Sequence, residues 1–443
     1  MLSQYIRIIE RDGIVAIFHE LHPDPVFCSL EQWKKIVAGI TSDAEVLINN
    51  LQQRKLIVDS LKDDDNEFQM VSSALERKLN RPTILYLMTA QGCNFKCTYC
   101  PVPKIARKYG ESFLSNEDAS AGIDLWQEHL RDVHGPSLEY FVIFYGGEPL
   151  LNKEVIWYSL DYLKFKKDTG ELPEKTNFMI ATNGALIDYE TVALCKKYGV
   201  LVAVGLDGPR TSNDAMKVDS DGNGTFDRIV AAIRLLVNAG VRTFASTSIT
   251  PYNIDQVAEY ADFFRELGVE KFGFNFLKGR LLLEVVGKDN LQSYYQQASQ
   301  SVIKQSRKSG NSGFEYQMEK KQIAFDRQDF FPVDCTCYGN QLVIQPDGQI
   351  SNCPFYKSGL GHVRRVDKDF RIWNQPIVAE WRKRLPLYHP GEAKAMCGGG
   401  CAWSSSELKG SPLAVDDSSQ IFSKEVLNEL IWSRYDRSES KKA

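Results

Sequence analysis

The chain predicts an α/β fold on a parallel sheet that closes partway, as a (β/α)6 barrel, and three observations carry that expectation. Strand-like and helix-like segments alternate six times between residues 81 and 280. Glycines stand where the helices must stop. Three cysteines, Cys93, Cys97 and Cys100, follow the first strand, at the end where such sheets carry their sites. Six βα units in order imply right-handed crossovers and are too few for a closed eight-stranded barrel.

Each element has its own signal. Residues 5–10 and 14–18 flank Arg11-Asp12-Gly13, a hairpin turn. Ser29 with Gln32, and Ser42 with Glu45, form two capping boxes that each open a helix. Residues 55–58 suit a returning strand. Two strands, two helices and a strand predict a winged-helix-like module over residues 1–80. Asp63-Asp64-Asp65 then begins a polar, solvated linker. Strands are expected at 84–89, 140–145, 177–181, 201–206, 242–249 and 271–276. Phe226, Ile229, Ile233 and Val237 share a helical face that Gly240 ends, and Ile254, Val257, Ala261 and Phe264 repeat it before Gly268. Asp188 opens another such segment, stopped by Gly199. Residues 281–333 read as a helical connection with its best helix at 294–308. Residues 334–405 hold a second cysteine group, and 406–443 a tail with a docking helix at 420–435.

Composition narrows the class. A length of 443 residues predicts two to four domains. Hydrophobic content of 43% with 25% charged residues is that of a soluble globular protein. No apolar run reaches about 18 residues, so no membrane span is expected. A formal net charge of −4 argues against a nucleic-acid partner. Arg7, Glu10, Arg11 and Asp12 leave no secretory h-region, so a cytoplasmic location with reduced thiols is expected. Eight of the ten cysteines fall into two groups; Cys28 and Cys195 stand apart and read as core filler.

Cys93, Cys97 and Cys100 are spaced C-x-x-x-C-x-x-C. Three thiolates can hold three irons of a 4Fe–4S cube and leave the fourth open, since such clusters normally take one cysteine per iron. Zinc is the rival, but it wants four ligands, usually as two pairs, and the next histidine is His134. With Tyr99 just before its third cysteine, the loop resembles that of the radical S-adenosylmethionine (SAM) enzymes. The resemblance implies that the open iron chelates the amino and carboxylate groups of SAM, and that a 5′-deoxyadenosyl radical abstracts hydrogen from substrate. Phe144-Tyr-Gly-Gly-Glu-Pro149 follows the second strand. By itself it could be a plain turn, but there it resembles the family motif for the methionine amino group, with Gly146 and Gly147 carbonyls as acceptors beside Glu148. Thr182-Asn183-Gly184 and Leu206-Asp207-Gly208-Pro209 also match, implying cofactor contacts at Asn183 and Asp207. Relatives often have serine two residues before that aspartate, where this chain has Gly205. A ribose contact is then expected from Thr247 or Ser248.

The second group is Cys335-Thr-Cys337, Cys353 and Cys397-Gly-Gly-Gly-Cys401, with a hairpin expected over 342–350 at an Asp347-Gly348 turn. It resembles the SPASM or twitch extension, which holds auxiliary 4Fe–4S clusters. Three clusters would need three plus four plus four thiolates, more than the ten cysteines present. One auxiliary cluster is therefore expected, and the resemblance implies Cys335, Cys337, Cys353 and Cys401 as its ligands, giving two 4Fe–4S clusters beside SAM. Cys397 is left as an alternate ligand, an idle thiol or a hydrogen donor. Zinc is the alternative for this group.

The resemblance, over about residues 80–405, implies a maturase of a ribosomally made (RiPP) precursor peptide. The 1–80 module, RRE-like in that setting, would bind the leader as an added strand. An external electron donor such as flavodoxin or ferredoxin is implied, with neither nucleic acid nor membrane as partner. Thioether or C–C crosslinking is favoured over epimerisation, because an auxiliary cluster suits a net oxidation. The rivals are an oxidase like the anaerobic sulfatase maturases and a zinc-bearing winged-helix regulator.

Overall fold

The structure, a computed structural model, describes residues 1–40, 44–102, 110–133, 138–309, 314–330, 333–388 and 396–440. Ile6–Arg11 (β1), Ile14–His19 (β2) and His22–Ser29 (β3) form an antiparallel sheet in that order. Asp12 and Gly13 take φ of 53° and 76° in the β1–β2 turn. The Ser29 hydroxyl accepts from the Gln32 N–H and the Gln32 side chain accepts from the Ser29 N–H, opening the helix Leu30–Val37. The helix Glu45–Gln53 follows; the capping box expected at Ser42 lies outside the described residues.

Two expectations for this region are corrected. The third strand is β3, and residues 55–58 contribute only a bridge from Ile57 to Leu2. Pro23 and Pro25 argue against a strand, but β3 is an edge strand, where missing N–H groups are tolerated. The acidic run is not a linker. It is the first turn of a 19-residue helix, Leu61–Leu79, where carboxylates suit the positive end of the helix dipole. Asp63 accepts from the Ser60 N–H at 2.9 Å. Asp64 is buried and accepts from Ser3 Oγ at 2.7 Å and the Gln4 N–H at 2.8 Å.

Ile84–Ala90 (β4), Tyr140–Gly146 (β5), Thr176–Thr182 (β6), Leu201–Gly205 (β7), Thr243–Ile249 (β8) and Lys271–Phe276 (β9) pair in parallel in sequence order. The expected bounds agree to within one residue at either end. The helix Phe226–Asn238 buries Ile229 and Ile233. Asp188 caps Tyr189–Tyr198, which ends at Gly199 in the left-handed region. Cys195 is buried, as is Cys28, and burial pushes their thiols up to about 12 and about 11.

The sheet continues beyond these six strands. Phe314–Glu315 (β10) pairs with β9. Gln341–Ile344 (β11) pairs in parallel with β4 and antiparallel with Ile350–Ser351 (β12). The expected Asp-Gly hairpin forms, with Gly348 at φ 73°, and it is joined to the main sheet at the edge whose next strand leads into the first cysteine loop. The helix Leu291–Ser309 crosses behind β9. The terminal helix Asp417–Ser440 packs against it and returns to β3, where Phe27 meets the rings of Trp432 and Tyr435. Among the described residues no helix is long and apolar enough to cross a membrane.

The segment beyond β12 is tied back through His129, on the buried face of the helix Asn116–Leu130. The Ile372 N–H donates to Nε2 at 3.0 Å, so Nδ1 carries the proton and donates to the Leu125 carbonyl at 2.7 Å. Burial lowers this imidazole to about 4 from an ordinary 6.5. Between those values the unfolded chain takes up a proton that the folded chain refuses. Stability from this group is thus complete above pH 6.5 and lost as pH falls toward about 4. Urea unfolding should show a decline on the order of 3 kcal/mol over that window, and His129→Gln should flatten it.

Candidate functional site

The loop after β4 is held on two sides. The Gly147 and Glu148 N–H groups donate to Ala90 and Gly92 carbonyls at 2.9 Å, and the Lys96 and Thr98 N–H groups donate to Val218 at 2.8 Å and Met216 at 2.9 Å. Phe95 is buried beneath it. Cys93, Cys97 and Cys100 remain half-buried and feel one another's charge; burial pushes Cys93 up to about 11 and Cys97 up to about 12. Among the described residues no three His, Cys, Asp or Glu side chains converge on a single ion. Zinc with Zn–S near 2.3 Å needs sulfurs about 3.8 Å apart. In a cube each thiolate takes its own iron.

The glycine turn lies directly on this loop. A Cβ on Gly146 would fall 2.2 Å from the Ala90 carbonyl oxygen, and one on Gly147 would fall 2.1 Å from that of Gly92. Glu148 is wholly buried; its carboxylate accepts from Leu150 N–H at 3.0 Å, Thr182 Oγ1 at 2.6 Å and Asn183 N–H at 2.8 Å. Burial pushes this carboxyl up. Glu148 thereby ties the β5 turn to the β6 turn and sets Asn183, whose amide donates to Asn94 Oδ1 at 2.8 Å and lies 3.7 Å from Cys93 Sγ.

Asp207 closes the far side. It accepts from the Tyr99 hydroxyl and, at 2.8 Å, from the Ser248 N–H. Burial pushes the Tyr99 phenol well up, so it stays protonated. Thr247 is fully buried and its hydroxyl donates to the Leu206 carbonyl at 2.7 Å. Strand alternation puts Thr247 on the face opposite Ser246 and Ser248, and Ser246 is the residue beside Gly205 in the β7–β8 ladder. A side chain at Gly205 would meet Lys217 Nζ at 3.1 Å. Lys217 is buried and 3.4 Å from Asp207, and its charge reaches Cys97 and Cys100. Sequence reasoning missed Lys217, a lone lysine outside any periodic segment, where no local signal marks it.

In the second group the structure brings Cys335, Cys337, Cys353 and Cys401 together and leaves Cys397 out. The first four interact with one another. A hydrogen bond from Cys337 lowers Cys335 to about 7, while burial pushes Cys337 and Cys353 well up. Cys397 Sγ lies 3.4 Å from Ser419 Oγ instead. Ser419 donates to Asp334, which also accepts from Gly398 and Gly400 N–H groups and from Lys321 Nζ, each at 3.0 Å. Burial opposes ionisation of Asp334, but Lys321 and these donors prevail and hold it below its ordinary value.

The two thiol groups meet at Tyr145. Burial pushes its phenol up to about 12, and both Cys100 and Cys353 add to the effect. Its ring is 6.1 Å from Phe355, which is 5.1 Å from Trp403. A cavity of about 70 Å³ lies here, lined by Gly146, Gly147, Pro354 and Phe355, and the nearly buried Gln91 on its wall keeps Nε2 without an acceptor. Tyr145 was hidden inside the glycine motif, where strand alternation alone could have singled it out.

Residues 87–264 match the Radical SAM superfamily. The chain is 22% identical over 418 residues to the radical SAM cyclopropyl synthase TigE of Paramaledivibacter caminithermalis, covering 83% of this chain and 82% of that protein. Its fold is similar to that of native anSMEcpe with bound AdoMet and Cp18Cys peptide, with a TM-score of 0.63, 22% identity, and coverage of 81% of this chain and 99% of that one. It is also similar to Streptococcus suis SuiB bound to precursor peptide SuiA, with a TM-score of 0.51, 16% identity, and coverage of 95% and 99%.

Gly147→Ala tests the close approach of turn and loop. Its Cβ must part the turn from Gly92, and SAM affinity of the anaerobically reconstituted protein, followed by equilibrium dialysis, is expected to fall at least about tenfold.

Proposed function

We propose that this chain, a radical SAM enzyme resembling the SPASM-domain peptide maturases, modifies a ribosomally made precursor peptide using two 4Fe–4S clusters. One would sit on Cys93, Cys97 and Cys100, and the other on Cys335, Cys337, Cys353 and Cys401. The observation that carries this is the junction at Tyr145, whose buried phenol feels both Cys100 of the first thiol group and Cys353 of the second. Bound at the first cluster, SAM would supply radical chemistry for hydrogen abstraction, given an external electron donor. The chain's own residues bind and orient it. Gly146 and Gly147 offer carbonyls to its ammonium, Asn183 is set by Glu148, and Tyr99 and Ser248 are set by Asp207. Lys217 adds a buried positive charge for the carboxylate. Cys335, Cys337, Cys353 and Cys401 would hold a group able to take up an electron, which favours crosslinking over epimerisation. Cys397, buried beside Ser419 and apart from the other four thiols, suits an idle thiol better than a hydrogen donor.

The division of labour follows the segments. Residues 1–80 recognise the leader, 81–280 form the radical SAM core, 281–333 connect, 334–405 hold the auxiliary cluster, and 406–443 dock back. β3 is an open sheet edge, and a groove of about 470 Å³ runs along it between Val26, Phe27, Asn50 and Tyr435. A peptide adding to that edge as a strand would fill it. The similar SuiB is bound to its precursor peptide and anSMEcpe to a peptide. The sulfatase-maturase-like rival keeps support from the 99% coverage of anSMEcpe.

Metal analysis separates the candidates. About eight iron per chain is expected from two cubes, about twelve would favour the three-cluster oxidase, and zinc without iron would sink both enzymes. Asn50→Trp fills the groove without touching the thiols. It should weaken precursor binding at least about tenfold in fluorescence anisotropy and leave SAM cleavage intact; unchanged binding would refute leader docking at β3.

A further inference from the structure

Arg384 is buried to 2% exposure, yet among the described residues no carboxylate lies within ion-pair distance of it. Its acceptors are all neutral. Nη1 donates to Tyr338 Oη at 2.8 Å and the Gly400 carbonyl at 3.5 Å, and Nη2 donates to Ser405 Oγ at 3.0 Å and the Ala414 carbonyl at 2.9 Å. Among the described residues Nε has no acceptor. Asp416 is near enough to act through space, but it is already paired with Lys278 at 3.1 Å. A buried charge without a counter-ion is strongly unfavourable, and folded proteins pair such groups.

The counter-charge is a matter of position. Tyr338 directly follows Cys337, Gly400 directly precedes Cys401, and Ser405 Oγ donates to the Cys401 carbonyl at 3.2 Å. Arg384 therefore ties the Tyr338 hydroxyl to the backbone just before Cys401, and the charges it senses are those of Tyr338, Cys337, Asp416 and Cys401, while its own charge reaches Cys335. As thiols these groups are neutral. Bound to a 4Fe–4S core, four thiolates outweigh the core's positive charge, and reduction adds one more negative charge. Net charge around a cluster is one of the determinants of its potential.

We infer that Arg384 is the built-in counter-ion of the auxiliary cluster and raises its reduction potential, so that this cluster can accept an electron during turnover. The inference rests on the two-cluster reading above. Arg384 is a positioning and tuning residue, since its guanidinium acts on the cluster through charge and through the loops it ties.

The test uses the full chain carrying Cys93→Ala, Cys97→Ala and Cys100→Ala, so that only the auxiliary site can load. Iron content and an EPR-monitored redox titration are measured with Arg384, Arg384→Gln and Arg384→Lys. About four iron per chain is expected in all three. Arg384→Gln should titrate at a clearly more negative potential, and Arg384→Lys should stay near the parent while losing iron to a chelator faster. Loaded iron with an unmoved potential in Arg384→Gln overturns this inference alone. Absence of iron, or zinc in its place, in the parent overturns the two-cluster reading and this inference with it. If Arg384→Gln does not accumulate, Arg384→Lys decides. A potential near the parent's supports the role of charge, and one far below it overturns that role.

Discussion

The parallel pairing of β11 with β4 is the interaction on which the site depends. Gln341 to Ile344 align with Ile84 to Leu87, so the chain returns, more than 250 positions later, to the strand that leads into the first cysteine loop. Without that ladder the second thiol group would be a separate lobe. With it, Cys337 and Cys353 flank a hairpin whose neighbour, ending at Ala90, leads into the loop of Cys93, and the β5 residue Tyr145 touches the fields of both groups. The glycines act at the same junction. Gly146 and Gly147 let β5 lie so close to Ala90 and Gly92 that any side chain would force it away.

A second constraint is charge. Lys217 with Asp207, Lys278 with Asp416, and Lys321 with Asp334 each place an ion pair within or at the edge of the site. In each, the carboxylate also accepts backbone or side-chain donors that fix a loop. Asp207 takes the Ser248 N–H, Asp416 the Cys401 N–H and Asp334 those of Gly398 and Gly400. Such pairs add little to net stability, because desolvation offsets their attraction. Their effect is to define where the loops stand, and each leaves a lysine facing a region that holds thiols.

Much of this was legible in the sequence, for reasons that differ by residue. The six strands and the caps at Gly199, Gly240 and Gly268 were readable because local periodicity and backbone freedom act over a few residues. The cysteine loops were readable because ligand spacing is local chemistry. β3 was not, since Pro23 and Pro25 look like strand breakers unless the strand is known to be an edge. The helix at 61–79 was not, because an acidic run signals a solvated linker as readily as a helix N-terminus. Lys217, His129 and Arg384 were out of reach for one shared reason. Each matters through partners far away in the chain, and Arg384 joins residues beside Cys337 to one preceding Cys401.

That same helix at 61–79 bears on how peptide docking and chemistry would be spaced. Near its start Asp64 holds Ser3 and Gln4, and Glu67 holds His22 at the head of β3. At its end the Lys78 carbonyl accepts from Asn340 at 2.6 Å and the Leu79 carbonyl from Arg382 at 3.2 Å, beside the four-thiol pocket that Leu75 and Leu79 help to cover. The helix is therefore a strut between the β3 groove and the auxiliary site. From Asp64 to Leu79 it spans about 22 Å at 1.5 Å per residue. An extended peptide crosses that distance in about seven residues. A leader docked on β3, as proposed, would need at least about that many residues to reach the auxiliary site, and the strut would then set a lower limit on the spacing between the peptide's recognition segment and its reacting side chain.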